Sequence, residues 1–313
     1  MDDAASASPG PAARAGRASR SPAGALVASL RPAQWVKNGV LLVPAVFALR
    51  ATDPGAMGRA LLAVVAFCLV SSATYLGNDL ADRERDRAHP EKRGRAIASG
   101  ELPVRVAAAA GLLLAAAGLG LAFALGLPFF ATAVGYVLLQ AAYSVSLKHV
   151  PVVDVFAIAG GFVLRVVAGA EAVDVPISNW LYLTTLFLAL FLALEKRRAE
   201  LALLGEGASL HRGILAEYPI PLLDQLVSVA AGATVMTYSL YTLSPDTVAK
   251  FGTDRLKLTI PFVLFGVFRY VYLVHRRGAG GQPEQVLVRD RGMQLTLLGY
   301  ALVVAWAIYA RRP

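Results

Sequence analysis

The sequence contains very little cysteine and histidine for a chain of 313 residues. Cys68 is the one cysteine, so no disulfide can form within the chain. The four histidines make no His/Cys cluster of the kind that binds zinc. Neither a P-loop nor a Ser-His-Asp arrangement is present, and the "GAGG" at 278–281 has no strand before it. Nothing in the sequence therefore points to a zinc enzyme, a P-loop nucleotidase or a triad hydrolase.

Charge is also scarce, at 16% of residues, whereas 57% are hydrophobic and the mean hydropathy is +0.57. Apolar runs recur along the chain, and with its flanks each reaches the ~20 residues that a helix needs to cross the ~30 Å hydrocarbon core of a bilayer. About nine spans are predicted, centred near residues 45, 68, 114, 135, 160, 188, 230, 265 and 302. Because helices satisfy their own backbone polar groups in lipid, the sequence predicts an all-α polytopic membrane protein.

The first 27 residues are rich in Ala, Ser, Pro, Gly and Arg and lack the apolar core of a signal peptide. They are predicted to form a disordered basic tail, and 28–313 to form one transmembrane catalytic domain. Most lysines and arginines fall on the side of the N-terminus and of the segments near 83–105, 148, 196–212 and 276–291. The positive-inside rule places that side, with the active site, in the cytoplasm at the plasma membrane. The net charge of +9 then reflects orientation and an anionic ligand, and nucleic acid is a poor partner.

One stretch departs from this apolar background and carries both signs of charge, "NDLADRERDRAHPEKRGRAIASG" at 78–100. Asn78, Asp82 and Asp86 are spaced i, i+4, i+8, which places them on one face of a helix. Carboxylate and amide oxygens suit Mg²⁺, which commonly shares its coordination shell with substrate phosphates. Asp79 lies about 100° away around the helix and is expected to support this face.

Basic residues follow the acidic ones directly. Pro90 should end the helix, because proline restricts the residue before it and donates no backbone hydrogen bond. Lys92, Arg93 and Arg95 then lie on a loop at the helix end, where ammonium and guanidinium groups can bind phosphate oxygens. A solvated, salt-bridged loop would account for the basic residues alone. The ordered spacing of the acids favours a site for a Mg²⁺–diphosphate.

The segment "NDLADRERD" resembles the NDxxDxxxD motif of the UbiA-type intramembrane prenyltransferase superfamily. Further segments between residues 28 and 310 are similar to the decaprenyl-phosphate phosphoribosyltransferase branch: "LRPAQWVKN" (30–38), "HPEKRGRAIASG" (89–100), "YSVSLKHVPVVD" (143–154), "GFVLRVVAGA" (161–170), "EKRRAEL" (195–201) and "PEQVLVRDR" (283–291). The resemblance implies nine transmembrane helices around a polar cavity that opens to the cytoplasm, with a Mg²⁺-bound diphosphate inside.

The resemblance also implies roles for individual residues. Asn78, Asp82 and Asp86 would bind the metal, with Asp82, Asp86 and Lys148 as catalytic residues. The residues expected to bind substrate phosphates or the sugar are Lys37, Lys92, Arg93, Arg95, Tyr143, Lys148, Asp154, Arg165 and Lys196, with Asn38 beside Lys37.

Three of these residues also have ordinary structural explanations. Lys148 is placed where an interfacial lysine would snorkel to the membrane surface, and Asp154 where a residue would cap the fifth span. By resemblance Asp154 would bind a second metal or the ribose hydroxyls. Arg165 lies within a span and is expected to face the bundle interior, where it would contact either the lipid phosphate or a carboxylate such as Glu171.

For activity, the branch implies Mg²⁺-dependent transfer of 5-phosphoribosyl from phosphoribosyl pyrophosphate to decaprenyl or another polyprenyl phosphate. Pyrophosphate is released, and the product is a precursor of cell-wall arabinan. The alternative is a prenyltransferase that uses a prenyl diphosphate donor on an aromatic or other acceptor. Such enzymes carry a second aspartate-rich motif. Its place here holds Glu195, Lys196, Arg197 and Glu200, which favours the phosphoribosyl branch.

A transporter or lipid-binding scaffold is a third hypothesis. It predicts ionisable residues near the bilayer midplane and paired inverted repeats. The sequence places only Arg165 and Arg269 at depth and shows no obvious repeat, which argues against transport. The length of the lipid chain and the oligomeric state, a homo-oligomer included, are left open by the sequence.

Overall fold

The structure is a computed structural model that describes residues 21–88, 92–204, 214, 217–277, 286 and 289–310. Within these ranges all regular structure is helical, which confirms the predicted all-α class. The predicted tail up to residue 20, the helix stop at Pro90 and most of the segment 283–291 lie outside the described residues.

Thirteen described α-helices follow one another along the chain. The first half contains α1 (Pro22–Leu30), a 3₁₀ segment (Pro32–Leu42), α2 (Val43–Phe47), α3 (Pro54–Ala81), α4 (Arg83–Ala88), α5 (Ala96–Ser99), α6 (Val104–Leu125) and α7 (Leu127–Val145). The second half contains α8 (Val153–Ala172), α9 (Asn179–Leu204), α10 (Ile220–Leu243), α11 (Pro245–Phe251), α12 (Ile260–Arg277) and α13 (Arg291–Tyr309).

Seven helices in the described part of the chain are long and apolar enough to cross a membrane. They correspond to α3, α6, α7, α8, α10, α13 and the segment Arg255–Arg276, which contains most of α12. The chain is therefore a multi-pass membrane protein, but the predicted count of nine spans is not confirmed. Near residue 45 the apolar run forms the 3₁₀ segment and the short α2. Near residue 188 it forms α9, which carries charged residues in its last turns.

Helix α1 begins at Pro22, inside the segment predicted to be a disordered tail. The Ser21 hydroxyl accepts a hydrogen bond from the Gly24 N–H at 3.2 Å, and Pro22 occupies the first helical position, where its missing N–H costs nothing. Ala25 is fully buried against Leu76 and Ile97. Local capping and this packing explain why the ordered structure starts earlier than composition indicated.

Helix α8 lies between two hydrophobic clusters. Val155 and Ala159 pack in the cluster with α9, α10 and α12, while Ala168 and Ala172 pack in the cluster with α3, α6 and α7. Gly169 is required for this arrangement, because a Cβ there would lie 2.3 Å from the Leu41 carbonyl oxygen of the 3₁₀ segment. The polar residues of α8 are thereby held in the middle of the bundle.

Candidate active site

The acidic motif spans the junction between α3 and α4. Helix α3 ends at Ala81, and Asp82 is its C-terminal cap with φ −91° and ψ 3°. The single straight helix predicted from the acid spacing is therefore interrupted at Asp82. The helical pattern of backbone hydrogen bonds nevertheless resumes at Asp82, since the Asp86 N–H donates to the Asp82 carbonyl at 2.8 Å. Asp86 consequently lies on α4, where it is 4% exposed.

Asn78 and Asp82 face the end of α7 and the turn that follows it. The Ser144 hydroxyl donates to Asn78 Oδ1 at 2.8 Å. Lys148 Nζ donates to both carboxylate oxygens of Asp82, at 3.1 and 3.2 Å. The structure thus brings Ser144 to Asn78 and Lys148 to Asp82, although each pair is separated by 66 positions along the chain.

Asp79 and Asp86 share one guanidinium. Arg95 Nη1 lies 3.0 Å from Asp79 Oδ1 and 2.8 Å from Asp86 Oδ2. Arg31 Nη2 lies 2.6 Å from Asp79 Oδ1 as well. Asp79 is only 5% exposed. We refer to Asn78, Asp79, Asp82 and Asp86 with the bound cations Arg31, Arg95 and Lys148 as the acidic cluster. Each of its carboxylates is neutralised by at least one basic side chain.

A second polar group lies beside the acidic cluster and is centred on Asp154, which is completely buried. Arg197 Nε donates to Asp154 Oδ2 at 2.7 Å, and the Tyr218 hydroxyl donates to Asp154 Oδ1 at 2.6 Å. The other Arg197 nitrogens donate to Glu200 at 2.7 Å and to the Tyr143 hydroxyl at 2.9 Å. We call these five residues the Asp154 network. Burial raises the pKa of Tyr218 to about 12, so its hydroxyl stays protonated and donates at neutral pH.

The turn before Asp154 is strained. Val152 has φ +68° and ψ −45°, and the Val153 N–H donates to the Pro151 carbonyl at 2.8 Å, which is the pattern of a γ-turn. A β-branched residue at positive φ is a genuine outlier and costs free energy. The Val152 N–H donates to the Tyr218 hydroxyl at 2.5 Å. Tyr218 therefore holds both the strained turn and Asp154 in place.

Arg165 has different partners from those expected. Its Nε donates to Asn38 Oδ1 at 2.8 Å, and its two Nη atoms donate to the Gly161 carbonyl at 2.9 Å and to the Tyr136 hydroxyl at 2.8 Å. Arg165 is 4% exposed and Asn38 is 1% exposed. Of the two expected partners, the Glu171 carboxylate is not among the groups that Arg165 contacts, and the lipid phosphate stays a prediction. Asn38 likewise points into the bundle core, and this arrangement favours a structural role for both residues.

The remaining predicted basic residues lie on several elements around the site. Lys37 is on the 3₁₀ segment and donates to Gln34 Oε1 at 2.5 Å. Lys92 and Arg93 form a 3₁₀ turn before α5, where Arg93 is exposed and Lys92 is half-buried. Lys196 is half-buried on α9, next to Arg197. The substrate contacts predicted for Lys37, Lys92, Arg93 and Lys196 therefore stay predictions.

Sequence reasoning assigned no site role to four residues that the structure places in or beside these clusters: Arg31, Ser144, Arg197 and Tyr218. Ser144 and Arg197 lie within "YSVSLKH" and "EKRR", two segments already noted for their resemblance. Nothing in the sequence signalled Tyr218 or the contact of Arg31 with Asp79, because both contacts join distant parts of the chain.

The donor set at the acidic cluster fits a hard divalent cation. Asn78, Asp82 and Asp86 supply amide and carboxylate oxygens, the ligands that Mg²⁺ prefers. In the described ranges no three His, Cys, Asp or Glu side chains come together as metal ligands. The predicted set of Asn78, Asp82 and Asp86 stays a prediction; its two carboxylates and one amide would leave coordination positions for water and substrate oxygens.

Comparison with known proteins gives consistent results. The model of the UbiA prenyltransferase family matches residues 40–280. The decaprenyl-phosphate phosphoribosyltransferase of Mycolicibacterium smegmatis is 34% identical over 297 residues, which cover 91% of this chain and 92% of the relative. The enzyme of the same name from Corynebacterium glutamicum is 35% identical over 294 residues, which cover 91% of this chain and 86% of the relative.

A solved structure of a UbiA homolog from Archaeoglobus fulgidus, bound to GPP and Mg²⁺, shares the fold. Its TM-score is 0.69 at 21% sequence identity, with 90% of this chain and 98% of that chain covered. The match of the family model over most of the chain agrees with the resemblance of the "NDLADRERD" motif. The chain belongs to the UbiA prenyltransferase family and is a multi-pass membrane transferase.

Proposed function

We propose that this protein transfers a 5-phosphoribosyl group from phosphoribosyl pyrophosphate to a polyprenyl phosphate. The observation that carries the proposal is the likeness, over about nine-tenths of the chain, to relatives named decaprenyl-phosphate phosphoribosyltransferase. In the reaction, the bond from ribose C1 to a pyrophosphate oxygen breaks, and a bond from C1 to an oxygen of the lipid phosphate forms. A single displacement inverts the configuration at C1.

The acidic cluster is the proposed site of the leaving pyrophosphate. Asn78, Asp82 and Asp86 would hold Mg²⁺, which when bound neutralises the negative charge that develops on the pyrophosphate. Lys148 and Arg95 occupy the carboxylates of Asp82 and Asp86 in the structure. A bound metal–diphosphate would place the metal ion against the two carboxylates and the phosphate oxygens against Lys148 and Arg95. Each carboxylate and each basic side chain would then still have a partner of opposite charge.

Protein residues then bind and orient the substrates. Lys148 and Arg95, with Lys92 and Arg93 on the adjacent turn, would donate hydrogen bonds to phosphate oxygens and stabilise the departing charge. The acceptor phosphate is already an anion, so the reaction requires no strong general base, which agrees with the absence of histidine from the described residues of both clusters.

The Asp154 network is proposed to position the donor. Asp154 is fully buried and bonded to Arg197 and Tyr218, so it acts on the substrate only through its neighbours. Tyr143 is the link between the two clusters, because it accepts from Arg197 and is adjacent in sequence to Ser144, which binds Asn78. We place the end of the bundle that carries both clusters at the cytoplasmic surface, from which the water-soluble donor would enter.

The experiment that tests this proposal offers both donor classes to the purified protein. Radiolabelled phosphoribosyl pyrophosphate is supplied with polyprenyl phosphate and Mg²⁺, and in parallel a prenyl diphosphate is supplied with an aromatic acceptor. A labelled lipid formed only from the sugar donor is the expected result. Product formed only from the prenyl diphosphate would replace the proposal with the prenyltransferase alternative, and no product from either donor would overturn it.

A matched pair of variants assigns the activity to the acidic cluster. Asp82→Asn keeps the shape of the side chain but removes its charge, and a loss of at least roughly a hundredfold in kcat is expected. Asp246→Asn makes the same change on the exposed first turn of α11, at the other end of α10, and should leave activity unchanged. Full activity in Asp82→Asn would exclude the acidic cluster as the metal site.

A further inference from the structure

Glu195 is an acidic residue in the interior of the bundle. It lies on α9, outside the seven span helices, and is 0% exposed. Within the described part of the chain, neither of its carboxyl oxygens has a hydrogen-bond partner. An ionised carboxylate is strongly disfavoured in such a place, and the group takes up a proton unless a cation reaches it. Glu195 is therefore a buried carboxyl group that belongs neither to the acidic cluster nor to the Asp154 network.

Apolar residues flank this carboxyl group on α9. Phe191 and Ala199, one turn before and one turn after Glu195, belong to the hydrophobic cluster that joins α9 to α10 and α12. Burial raises the pKa of Glu195 to about 7, while Arg198 opposes this rise and Asp224 adds to it. The carboxyl group therefore changes its charge near neutral pH, whereas an unperturbed glutamate does so near pH ~4.3.

The two charged neighbours of Glu195 are bound to each other. Arg198 lies three residues after Glu195, on the same face of α9, and its Nε donates to Asp224 Oδ1 on α10 at 2.5 Å. His275 Nε2 on α12 lies 3.6 Å from the same oxygen. The Arg198 side chain is 15% exposed and the Asp224 side chain is 43% exposed. One guanidinium thus pairs with a half-exposed carboxylate, although a fully buried carboxyl group lies one turn away.

Few other titratable groups pack around this part of α9. Tyr270 of α12 belongs to the same hydrophobic cluster. On the face of α9 that packs against α8, Asp154 is already bonded to Arg197. Among the described residues around Glu195, Arg198 is therefore the cation in position to compensate a charge on its carboxyl group.

We propose that Glu195 is a proton-binding site whose occupancy decides which carboxylate holds Arg198. With the proton bound, Arg198 pairs with Asp224, which is the arrangement in the structure. When the proton leaves to the solvent, a buried carboxylate forms one helical turn from Arg198, and a buried charge of this kind requires a partner. Arg198 then turns from Asp224 to Glu195, and Asp224 keeps its contact with His275.

The exchange changes how α9 is attached to its neighbours. The Arg198–Asp224 pair joins α9 to α10, whereas a pair of Glu195 with Arg198 lies within α9. The Arg197–Asp154 pair continues to join α9 to α8. Proton binding at Glu195 therefore strengthens the attachment of α9 to α10. Because the exchange concerns only these side chains, it does not depend on the reaction that the protein catalyses.

Infrared spectroscopy of the full-length protein in detergent measures the protonation directly, because the carbonyl stretch of a protonated carboxyl group is distinct from the bands of a carboxylate. The pH is raised from ~6 to ~8, far above the pKa of an unperturbed glutamate. One protonated-carboxyl band should disappear in the wild type, with a midpoint near the pKa of about 7. Glu195→Gln keeps the shape of the side chain but cannot ionise, so the band should be missing. Glu217→Gln, the same change at an exposed residue, should retain it.

Two further variants test the competition for Arg198. Arg198→Gln removes the cation, so the loss of the band should move to higher pH. Asp224→Asn releases Arg198 and removes a negative charge near Glu195, so the loss should move to lower pH. A double-mutant cycle on Arg198 and Asp224, read from unfolding midpoints, should show a coupling at pH ~6 that falls to about half or less at pH ~8. In a Glu195→Gln background the coupling should stay constant.

Four outcomes would overturn the inference: a band that Glu195→Gln retains, no band lost from the wild type in this interval, shifts of the same direction in Arg198→Gln and Asp224→Asn, or an equal coupling at both pH values. If Glu195→Gln fails to fold, the opposite shifts in the other two variants decide the question. Because no measurement involves turnover, a protein that transfers no phosphoribosyl group would reject the proposed function and leave the proton-binding site in place.

Discussion

Lys148 Nζ lies between the two carboxylate oxygens of Asp82, at 3.1 and 3.2 Å. The side chains are 10% and 18% exposed, so the ion pair is largely shielded from solvent. The pair joins the end of α3 to the turn after α7, and Arg95 holds Asp79 and Asp86 in the same way. The acidic cluster is therefore electrostatically complete without a metal.

Metal removal is expected to abolish activity without destabilising the protein. Since basic side chains already neutralise the carboxylates of Asp79, Asp82 and Asp86, treatment with EDTA should leave the thermal unfolding midpoint unchanged. Mg²⁺ added with phosphoribosyl pyrophosphate should raise the midpoint, because a ligand that binds only the folded state stabilises it. Fluorescence-detected unfolding measures both effects. A drop of several degrees with EDTA alone would contradict this interpretation.

Lys148→Ala is expected to lower kcat by roughly a hundredfold or more, because Lys148 is the proposed hydrogen-bond donor to the departing pyrophosphate. Lys148→Arg retains the charge but changes its geometry and should recover part of the loss. Lys250→Ala is the control, since Lys250 is an exposed residue of α11. Steady-state kinetics with varied donor concentration measures the effect. Equal kcat in Lys148→Ala and Lys250→Ala would exclude Lys148 from the reaction.

Hydropathy predicted most of the fold, because each of the seven span helices lies at a predicted centre. Near residue 45 an apolar segment that contains Pro32 and Pro44 forms a 3₁₀ segment and a short helix, so the span predicted there is not confirmed. Proline breaks the backbone pattern without lowering the apolar content, so hydropathy gives the same signal for both structures.

The site was predictable only where its residues are near one another in sequence. The spacing of Asn78, Asp82 and Asp86 indicated a shared surface, and the structure keeps these residues on adjoining turns. The partner of Asp154 could not be derived, since Arg197 lies on another helix and reaches Asp154 only through packing of α8 against α9. Ion pairs between helices depend on tertiary structure, which spacing within one segment does not encode.

Breaking the Asp154 network is expected to destabilise the protein. Asp154 and Arg197 are 0% and 1% exposed, and removing one partner of a buried ion pair costs about 3–5 kcal/mol of unfolding free energy. Asp154→Asn should therefore lower the unfolding midpoint strongly. Tyr218→Phe loses the hydrogen bonds to Asp154 and Val152 and should cost about 1–3 kcal/mol.

Tyr182→Phe is the control for Tyr218→Phe. It removes the same hydroxyl group from a tyrosine of α9 that is 43% exposed, so it should change stability little. Burial raises the pKa of Tyr218 to about 12, so the folded state favours the protonated hydroxyl and its stabilising effect is complete below the unfolded pKa of ~10. The cost of Tyr218→Phe should thus be constant across neutral pH and shrink as pH rises from ~10 through the folded pKa. A cost that varies between pH ~6 and ~8 would contradict this assignment.

Arg165 is expected to act on stability and not on lipid affinity. Its three guanidinium nitrogens all donate to protein acceptors, on Asn38, Gly161 and Tyr136. Arg165→Lys keeps the charge but supplies a compact ammonium that cannot reproduce this planar set of donors. It should lower the unfolding midpoint and leave the KM for polyprenyl phosphate unchanged in the fraction that remains folded.

A role of Arg165 in binding the lipid phosphate would give the opposite result. Arg165→Lys would then raise the KM for the lipid while the unfolding midpoint stayed near that of the wild type, because a contact made only with bound lipid does not contribute to the folding of the lipid-free protein. Tyr136→Phe separates the two interpretations further. It removes one acceptor of Arg165 and leaves the charge in place, so a structural role predicts a loss of about 1–3 kcal/mol of stability. A phosphate role predicts no loss of stability in this variant.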